Sequence, residues 1–196
     1  MIKALLIDGD GATIKKTKYF SDVYAEEYKI PEEKLRPFFK DKFRLCQRGK
    51  ADLKKEVEPY LKGWGWKGSV DEFLDYWFHT QTIPNQPVLD LLKDIRARGI
   101  KCYLVTDQER YRANYITNNL RFKDYFDELF YSCDLGYSKS QKEFFEILIK
   151  RLNLKPEEII YWDDEDIEMA KEVGINASVF TSDENFKEEV NLLMNI

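Results

Sequence analysis

The sequence contains a single histidine, His79, and only three cysteines among its 196 residues. One histidine excludes a histidine-rich metal site, a phosphohistidine carrier built on several histidines, and most catalytic triads with a histidine base, unless His79 serves in one. His79 follows a stretch of aromatic residues with helical spacing, so we expect it to be structural or exposed. An odd number of cysteines without paired ligand spacing predicts reduced thiols, as in a cytoplasmic protein.

Long apolar runs and an excess of positive charge are absent as well. No run approaches the roughly 20 apolar residues that a transmembrane helix needs. The first apolar segment begins near residue 4 and leaves no room for a signal or transit peptide, so we expect a cytoplasmic protein without a membrane partner. The formal net charge of −5 argues against a nucleic-acid partner, because contacts to phosphates need clustered cations.

Two aspartates follow the first apolar segment. Residues 4–7 have the pattern of a buried strand, and Asp8 and Asp10 stand two positions apart at its end. Side chains at this spacing point to the same side of an extended chain, at the edge where open α/β sheets hold their ligands. One carboxylate can attack phosphorus, the other can move the proton, and Mg²⁺ can offset the negative charge. The alternative is a solvated acidic turn after a core strand.

Three later segments place polar side chains at the end of an apolar run or just before a helix. None of them is specific alone, since a threonine at a strand end often caps the next helix and a lysine before a helix is usually at the surface. Their order along the chain, after the two aspartates, makes them informative. The side chains are Thr106 and Asp107, then Lys139, then Asp163 and Asp164.

This order of motifs resembles the haloacid dehalogenase-like (HAD) hydrolase superfamily, over roughly residues 3–182. The resemblance implies that Asp8 forms an aspartyl-phosphate, which water then hydrolyses. It implies that Asp10 is the general acid and base and that its backbone carbonyl reaches the metal. Because haloacid dehalogenases themselves lack an acid at the second position, Asp10 favours phosphate chemistry.

The resemblance also assigns the later motif residues to the phosphate and the metal. Thr106 would offer its hydroxyl and backbone N–H to a phosphoryl oxygen, and Asp107 stands beside it in the same phosphate-binding motif. Lys139 would neutralise the phosphoryl group and orient the nucleophile. Asp8 and Asp164 are the expected metal ligands, assisted by Asp163 through water or through the lysine. Hard oxygen ligands imply Mg²⁺, and clustered carboxylates repel one another without a cation.

A helical segment separates the first motif from the second. Apolar residues recur at helical spacing in four groups between residues 15 and 82, punctuated by Pro31 and Gly49. Short amphipathic helices of this kind bury one another's apolar faces as a small bundle. We therefore predict a helical cap domain at residues 15–82, inserted into a core domain formed by residues 1–14 and 83–196.

The remainder of the chain alternates strands and helices with short loops. This alternation predicts an α/β fold, a doubly wound, Rossmann-like parallel sheet with helices on both faces. Strands are predicted near 100–105, 129–132, 158–162 and 177–180, and helices near 109–120, 141–152, 165–173 and 183–194. The helix after Asp164 is expected about two residues sooner than in the family pattern.

The predicted cap carries local positive charge. Between Pro31 and Lys67 there are 11 Lys/Arg against six Asp/Glu, which is usually a solvated face. In related caps, however, the turn that corresponds to residues 47–50 presents a side chain to the substrate, so the resemblance assigns Arg48 to substrate binding. An arginine there can bind a second anionic or hydroxylated part of a sugar phosphate. The turn and the Asp-Asp motif resemble the sugar-phosphatase and epoxide-hydrolase N-terminal phosphatase branch.

These predictions favour a Mg²⁺-dependent phosphatase that acts on a small phosphomonoester, as a monomer or a homodimer. A phosphomutase or phosphotransferase is the first alternative, because the same aspartyl-phosphate can pass to another hydroxyl when a cap excludes water. A non-catalytic protein that binds a phosphorylated metabolite is the second, because Gly9, Asp107, Ser140 and above all the early helix after Asp164 depart from the family pattern. A dehalogenase is a more distant alternative.

Overall fold

The computed structural model describes residues 1–194 and contains a parallel sheet of five strands in the order β3-β2-β1-β4-β5. The strands are β1 (Ala4–Ile7), β2 (Lys101–Thr106), β3 (Glu128–Tyr131), β4 (Ile159–Asp163) and β5 (Asn176–Val179). β1 is central and pairs with β2 on one side and β4 on the other. The predicted α/β fold with a parallel sheet is therefore confirmed.

Four helices between β1 and the rest of the sheet pack around a hydrophobic cluster of their own. We call them the cap helices, after the cap domain that the sequence predicts here. They are α1 (Phe20–Tyr28), α2 (Phe43–Gln47), α3 (Leu53–Leu61) and α4 (Val70–Gln81). A π-helical turn at Phe38–Lys42 leads directly into α2. Phe20 stacks on Trp77 with ring centroids 4.6 Å apart, and Tyr24 and Phe73 are fully buried. The limits of the cap domain at residues 15 and 82 remain a prediction.

Between residue 83 and the end of the described chain, six further α-helices cover the two faces of the sheet. They are α5 (Gln86–Ala97), α6 (Arg110–Asn114), α7 (Ser132–Leu135), α8 (Lys142–Leu152), α9 (Glu168–Glu172) and α10 (Asp183–Met194). Alternate residues of a strand face opposite sides, so Leu5 and Ile7 join one buried cluster and Ala4 and Leu6 join the other. Within residues 1–194, no helix is long and apolar enough to cross a membrane.

The helix after β4 begins later than the sequence predicts. The sequence pattern predicts a helix from residue 165, but α9 begins at Glu168. Asp163 Oδ1 accepts hydrogen bonds from the backbone N–H groups of Glu165, at 2.8 Å, and Asp166, at 2.9 Å. Aspartate side chains stabilise turns through such bonds, and here they hold the chain out of the helix. The prediction of an early helix start is therefore wrong.

Candidate active site

Asp8 and Asp10 lie at the carboxyl end of the central strand. The backbone N–H of Asp8 donates to the carbonyl of Trp162 on β4 at 2.9 Å, which fixes the start of the turn. Asp8 is 3% exposed, whereas the side chain of Asp10 is 48% exposed. Both line a cleft of about 620 Å³, which is also lined by the other predicted motif residues at the sheet edge and by residues of the cap helices.

Lys139 connects the first motif to the last. Its Nζ lies 2.5 Å from Asp8 Oδ1 and 2.5 Å from Asp163 Oδ2, and the Tyr161 hydroxyl also donates to Asp163 Oδ2. Lys139 is buried. Burial works against its charge, but the carboxylate of Asp8, with Tyr161 and Asp163, holds the pKa of Lys139 well above its usual value. The buried ammonium group therefore remains charged beside the two aspartates.

Three carboxylates come close enough to share one cation. Asp8, Asp163 and Asp164 each offer an oxygen, and these oxygens lie within 4.8 Å of one another. Carboxylate oxygens are the donors that Mg²⁺ binds, so the residues present fit the predicted ion. Among the described residues, this group does not include the carboxylate of Asp10, whose predicted metal contact is through its backbone carbonyl.

The two aspartates of the last motif have different surroundings. Asp163 has both oxygens occupied, one by Lys139 and Tyr161 and the other by backbone N–H groups. Asp164 Oδ2 instead lies 2.7 Å from the Nζ of Lys16, whose side chain is exposed. An exposed lysine can swing away at little cost, so Asp164 is the more available of the two for a cation.

Thr106 and Asp107 follow β2 on the adjacent strand. Thr106 is 1% exposed, and its Oγ1 accepts a hydrogen bond from Gln108 Nε2 at 3.1 Å. A Cβ atom at Gly9 would lie 2.6 Å from that oxygen, which explains why a bulky residue does not fit between the two aspartates here. Asp107 Oδ1 accepts from the backbone N–H of Lys139 at 3.0 Å. Its carboxylate thus holds the loop that carries the lysine.

Sequence reasoning missed Arg112 and Gln108, which hold Asp10. The guanidinium of Arg112 binds both carboxylate oxygens of Asp10, at 2.6 and 2.7 Å, and Gln108 Nε2 donates to Oδ2 at 2.8 Å. Partial desolvation in the cleft raises the pKa of Asp10, but Arg112 and Gln108 outweigh it and hold the pKa below its usual value. The two residues stand four positions apart, Gln108 just before α6 and Arg112 within it, a spacing too common to single them out.

The cap side of the cleft is basic and aromatic. Its lining includes Lys15, Lys18, Arg44, Phe39, Phe43 and Trp77. Arg48, predicted to contact substrate, is not among the lining residues. It directly follows α2, and its Nε donates to the carbonyl of Arg44 at 3.2 Å. From the same turn, Gln47 reaches the core and donates to the carbonyl of Asp107 at 3.2 Å.

Comparison with known sequences gives a family and two relatives. The chain matches the haloacid dehalogenase-like hydrolase family over residues 2–174. A glyceraldehyde 3-phosphate phosphatase from Methanocaldococcus jannaschii is 32% identical over 95 residues, covering 47% of this chain and 42% of that protein, so the match spans less than half of the relative. A phosphorylated carbohydrates phosphatase from Thermotoga maritima is 23% identical over 181 residues, covering 89% of this chain and 82% of that protein.

Solved structures share the fold. A HAD family enzyme from Bacteroides thetaiotaomicron has a TM-score of 0.82 at 21% identity, covering 96% of this chain and 98% of that one. The same enzyme in complex with magnesium and inorganic phosphate has a TM-score of 0.76 at 20% identity, covering 92% and 95%. A HAD-like family hydrolase from Porphyromonas gingivalis has a TM-score of 0.83 at 17% identity, covering 100% and 99%. With the family match over residues 2–174, this chain belongs to the haloacid dehalogenase-like hydrolase family.

Proposed function

We propose that the protein is a Mg²⁺-dependent phosphatase, which hydrolyses a small phosphomonoester through an aspartyl-phosphate on Asp8. The observation that carries the proposal is the environment of this carboxylate. It is buried at the carboxyl end of β1, 2.5 Å from the ammonium group of Lys139 and close to the oxygens of Asp163 and Asp164. Such surroundings suit a nucleophile that meets an anionic group. The two curated relatives, both named as phosphatases, agree with this reaction.

The proposed reaction has two halves. In the first, an oxygen of Asp8 attacks phosphorus, the bond to the leaving oxygen breaks, and that oxygen takes a proton from Asp10. For this step one Asp10 oxygen has to be protonated and released by Arg112, while the other oxygen keeps its hydrogen bonds. Lys139 offsets the charge of the phosphoryl group, while the hydroxyl and backbone N–H of Thr106 bind one of its oxygens. In the second half, water attacks phosphorus, Asp10 takes a proton from the water, and the bond to Asp8 breaks. The products are an alcohol and phosphate.

Asp8 and Asp164 are the residues that we propose for the metal, together with the backbone carbonyl of Asp10. Asp163 contributes mainly by holding Lys139 and the turn after β4, because its oxygens are already occupied. When bound, Mg²⁺ offsets the negative charge of the phosphoryl group and of the carboxylates around it.

The substrate that we propose carries hydroxyl or anionic groups besides the phosphate, as a sugar phosphate does. Arg44 lines the cleft from α2, and its planar guanidinium suits a second anionic or hydroxylated group. We assign this role to Arg44 in place of Arg48, whose side chain turns back onto its own helix. The name of the Thermotoga maritima relative, a phosphatase of phosphorylated carbohydrates, fits this class.

The cap helices supply the remaining wall of the proposed substrate site. Their separate hydrophobic cluster supports residues 15–82 as a cap domain that closes over the substrate, with residues 1–14 and 83–196 as the core domain. Closure of such a domain would exclude bulk water from the cleft.

A metabolite screen tests the proposal directly. Purified protein should release phosphate from at least one small phosphomonoester in the presence of Mg²⁺, and EDTA should stop the release. Asp8→Asn should abolish turnover, because an amide cannot form the acyl-phosphate, and should leave the circular dichroism spectrum unchanged. Beryllofluoride should form an adduct on Asp8. Near-normal turnover by Asp8→Asn would exclude the covalent mechanism. Phosphate release that continues in the presence of EDTA would exclude a requirement for Mg²⁺.

A further inference from the structure

We infer that Arg112 is a positioning residue, which sets where the Asp10 carboxylate stands. Its own position depends on the linker through which the chain returns from α4 to the core. This role rests on the proposed function, in which Asp10 transfers protons. The two residues are separated by 102 positions in the sequence, and the motif pattern contains no arginine at this place.

On one side, Arg112 holds both oxygens of Asp10. Its Nη2 lies 2.6 Å from Oδ1 and its Nη1 lies 2.7 Å from Oδ2, a two-point geometry that fixes the orientation of a carboxylate as well as its distance. Gln108 donates to Oδ2 at 2.8 Å and accepts from Nη1 at 2.9 Å. Because the Asp10 side chain is 48% exposed, these bonds rather than packing hold it in place.

On the other side, Arg112 binds the point where the cap helices rejoin the core. Its Nη2 donates to the carbonyl of Gln81 at 3.1 Å, and its Nε donates to the hydroxyl of Thr82 at 3.3 Å. Gln81 is the last residue of α4 and Thr82 follows it, and both are buried. A displacement of this linker therefore moves two of the acceptors that hold the guanidinium group.

Two hydrogen bonds join the segment that leads from β1 into the cap helices to the linker that leads from α4 back to the core. The hydroxyl of Thr17 donates to Gln81 Oε1 at 3.1 Å, and the backbone N–H of Lys15 donates to the carbonyl of Ile83 at 2.8 Å. The segment and the linker must therefore move together when the cap helices shift. The backbone of Arg112 is fixed in the core, where its N–H donates to Glu109 Oε1 at 2.6 Å, so its side chain has to follow that movement.

The consequence concerns proton transfer in the proposed reaction. Asp10 has to face the leaving oxygen when the phosphorus–oxygen bond breaks, and it has to face water in the second half. An alkoxide needs that proton far more than a nitrophenolate does, because the alkoxide is much more basic. A misplaced Asp10 therefore slows the hydrolysis of alkyl phosphates more than that of aryl phosphates, whereas a general loss of structure slows both.

The experiment compares Arg112→Gln and Arg112→Lys with the wild type and with Arg110→Ala, which removes an exposed arginine from the same helix. Phosphate release is measured on p-nitrophenyl phosphate and on two alkyl phosphates, glucose 6-phosphate and glyceraldehyde 3-phosphate. In Arg112→Gln we expect kcat on alkyl phosphates to fall about 100-fold, as for a lost acid–base group, and kcat on the aryl phosphate to fall less than about tenfold. Arg112→Lys should be intermediate, because lysine offers a single point of contact.

Thr82→Val tests the contact to the linker. Loss of one hydrogen bond to a charged group should lower kcat on alkyl phosphates by about tenfold and should leave p-nitrophenyl phosphate unaffected. Wild-type rates in Thr82→Val would overturn the role of the linker, and equal losses on both substrate classes in the Arg112 variants would overturn the positioning of Asp10. A wild-type protein inactive on these substrates and on every phosphomonoester of the metabolite screen would overturn the proposed function and this role with it. Thermal unfolding identifies any of the three variants, Arg112→Gln, Arg112→Lys and Thr82→Val, that fails to fold. The two that fold then test the proposal.

Discussion

Gly11 and Asp164 approach each other so closely that no side chain fits between them. A Cβ atom at Gly11 would lie 2.3 Å from the carboxyl carbon of Asp164 and 2.3 Å from its Oδ2. Gly11 also has a φ of +91°, which residues with a side chain rarely adopt. The turn after Asp10 thus brings its backbone against the carboxylate that we propose as a metal ligand.

Gly11→Ala should therefore weaken Mg²⁺ binding. The added methyl group must displace the Asp164 carboxylate, and the loss of a supporting contact of this kind typically costs about tenfold or more in metal affinity. Gly99→Ala is the matched control, because Gly99 has a φ of +88° and a Cβ atom there would meet nothing within 4 Å. Both variants should lose about 1–2 kcal/mol of stability from backbone strain. Titration of activity with Mg²⁺ measures the difference, and identical Mg²⁺ curves for the two variants would contradict it.

Asp164→Asn should raise the Mg²⁺ concentration needed for half-maximal activity by about tenfold or more, because a neutral amide binds the cation weakly. Asp163→Asn should lower kcat with a smaller change in the Mg²⁺ requirement, because this side chain mainly holds Lys139 and the turn after β4. Isothermal titration with Mg²⁺ checks the assignment without turnover. A larger loss of Mg²⁺ affinity in Asp163→Asn than in Asp164→Asn would show that Asp163 is the metal ligand.

Arg44→Ala should lower kcat/KM on the preferred sugar phosphate by about tenfold, the effect of one hydrogen bond to a charged group. The effect on p-nitrophenyl phosphate should be small, because that substrate has no hydroxyl groups to bind. Arg48→Ala is the matched control from the same segment, and its rates on both substrates should stay near those of the wild type. If Arg48→Ala instead gives the larger and more selective loss of kcat/KM on the sugar phosphate, then Arg48 rather than Arg44 contacts the bound substrate.

Glu109 links stability to pH. It is 2% exposed, and its two oxygens accept the backbone N–H groups of Tyr111 and Arg112. Burial raises its pKa to about 7 from 4.5, so folding favours the protonated form. Its contribution is fully present below about pH 4.5 and is lost as the pH rises through 7. The free energy of unfolding should fall by about 3 kcal/mol over this window through Glu109 alone.

Glu109→Gln should make the dependence of stability on pH shallower between about pH 5 and 8. The variant should lose about 1 kcal/mol below about pH 4.5, because an amide offers one acceptor oxygen where the carboxyl group offers two. It should not share the further loss of stability that the wild type shows as the pH rises through 7. Glu188→Gln, at an exposed glutamate, should keep the slope of the wild type. Urea unfolding at a series of pH values measures the slopes, and a parallel curve for Glu109→Gln would refute the raised pKa.

The sequence determined where the strands end and which polar residues follow them. Short apolar runs define buried strands, and carboxyl ends of parallel strands must meet at one edge of a sheet. For this reason the apolar pattern alone is enough to place Asp8, Thr106 and Asp163 together. Lys139 joins them only through the order of the motifs, since a lysine before a helix has no local pattern that distinguishes it.

The tertiary structure alone decided what surrounds Asp10 and which arginine lines the cleft. Arg112 meets Asp10 across 102 positions of sequence. Arg44 lines the cleft, whereas the side chain of Arg48 turns back onto the carbonyl of Arg44. Such contacts depend on the rotation and docking of whole helices, which are set by the summed packing of many apolar side chains. Periodicity predicts that a helix buries one face, but it does not say which charged residue on the remaining faces comes to lie opposite a carboxylate from a distant strand.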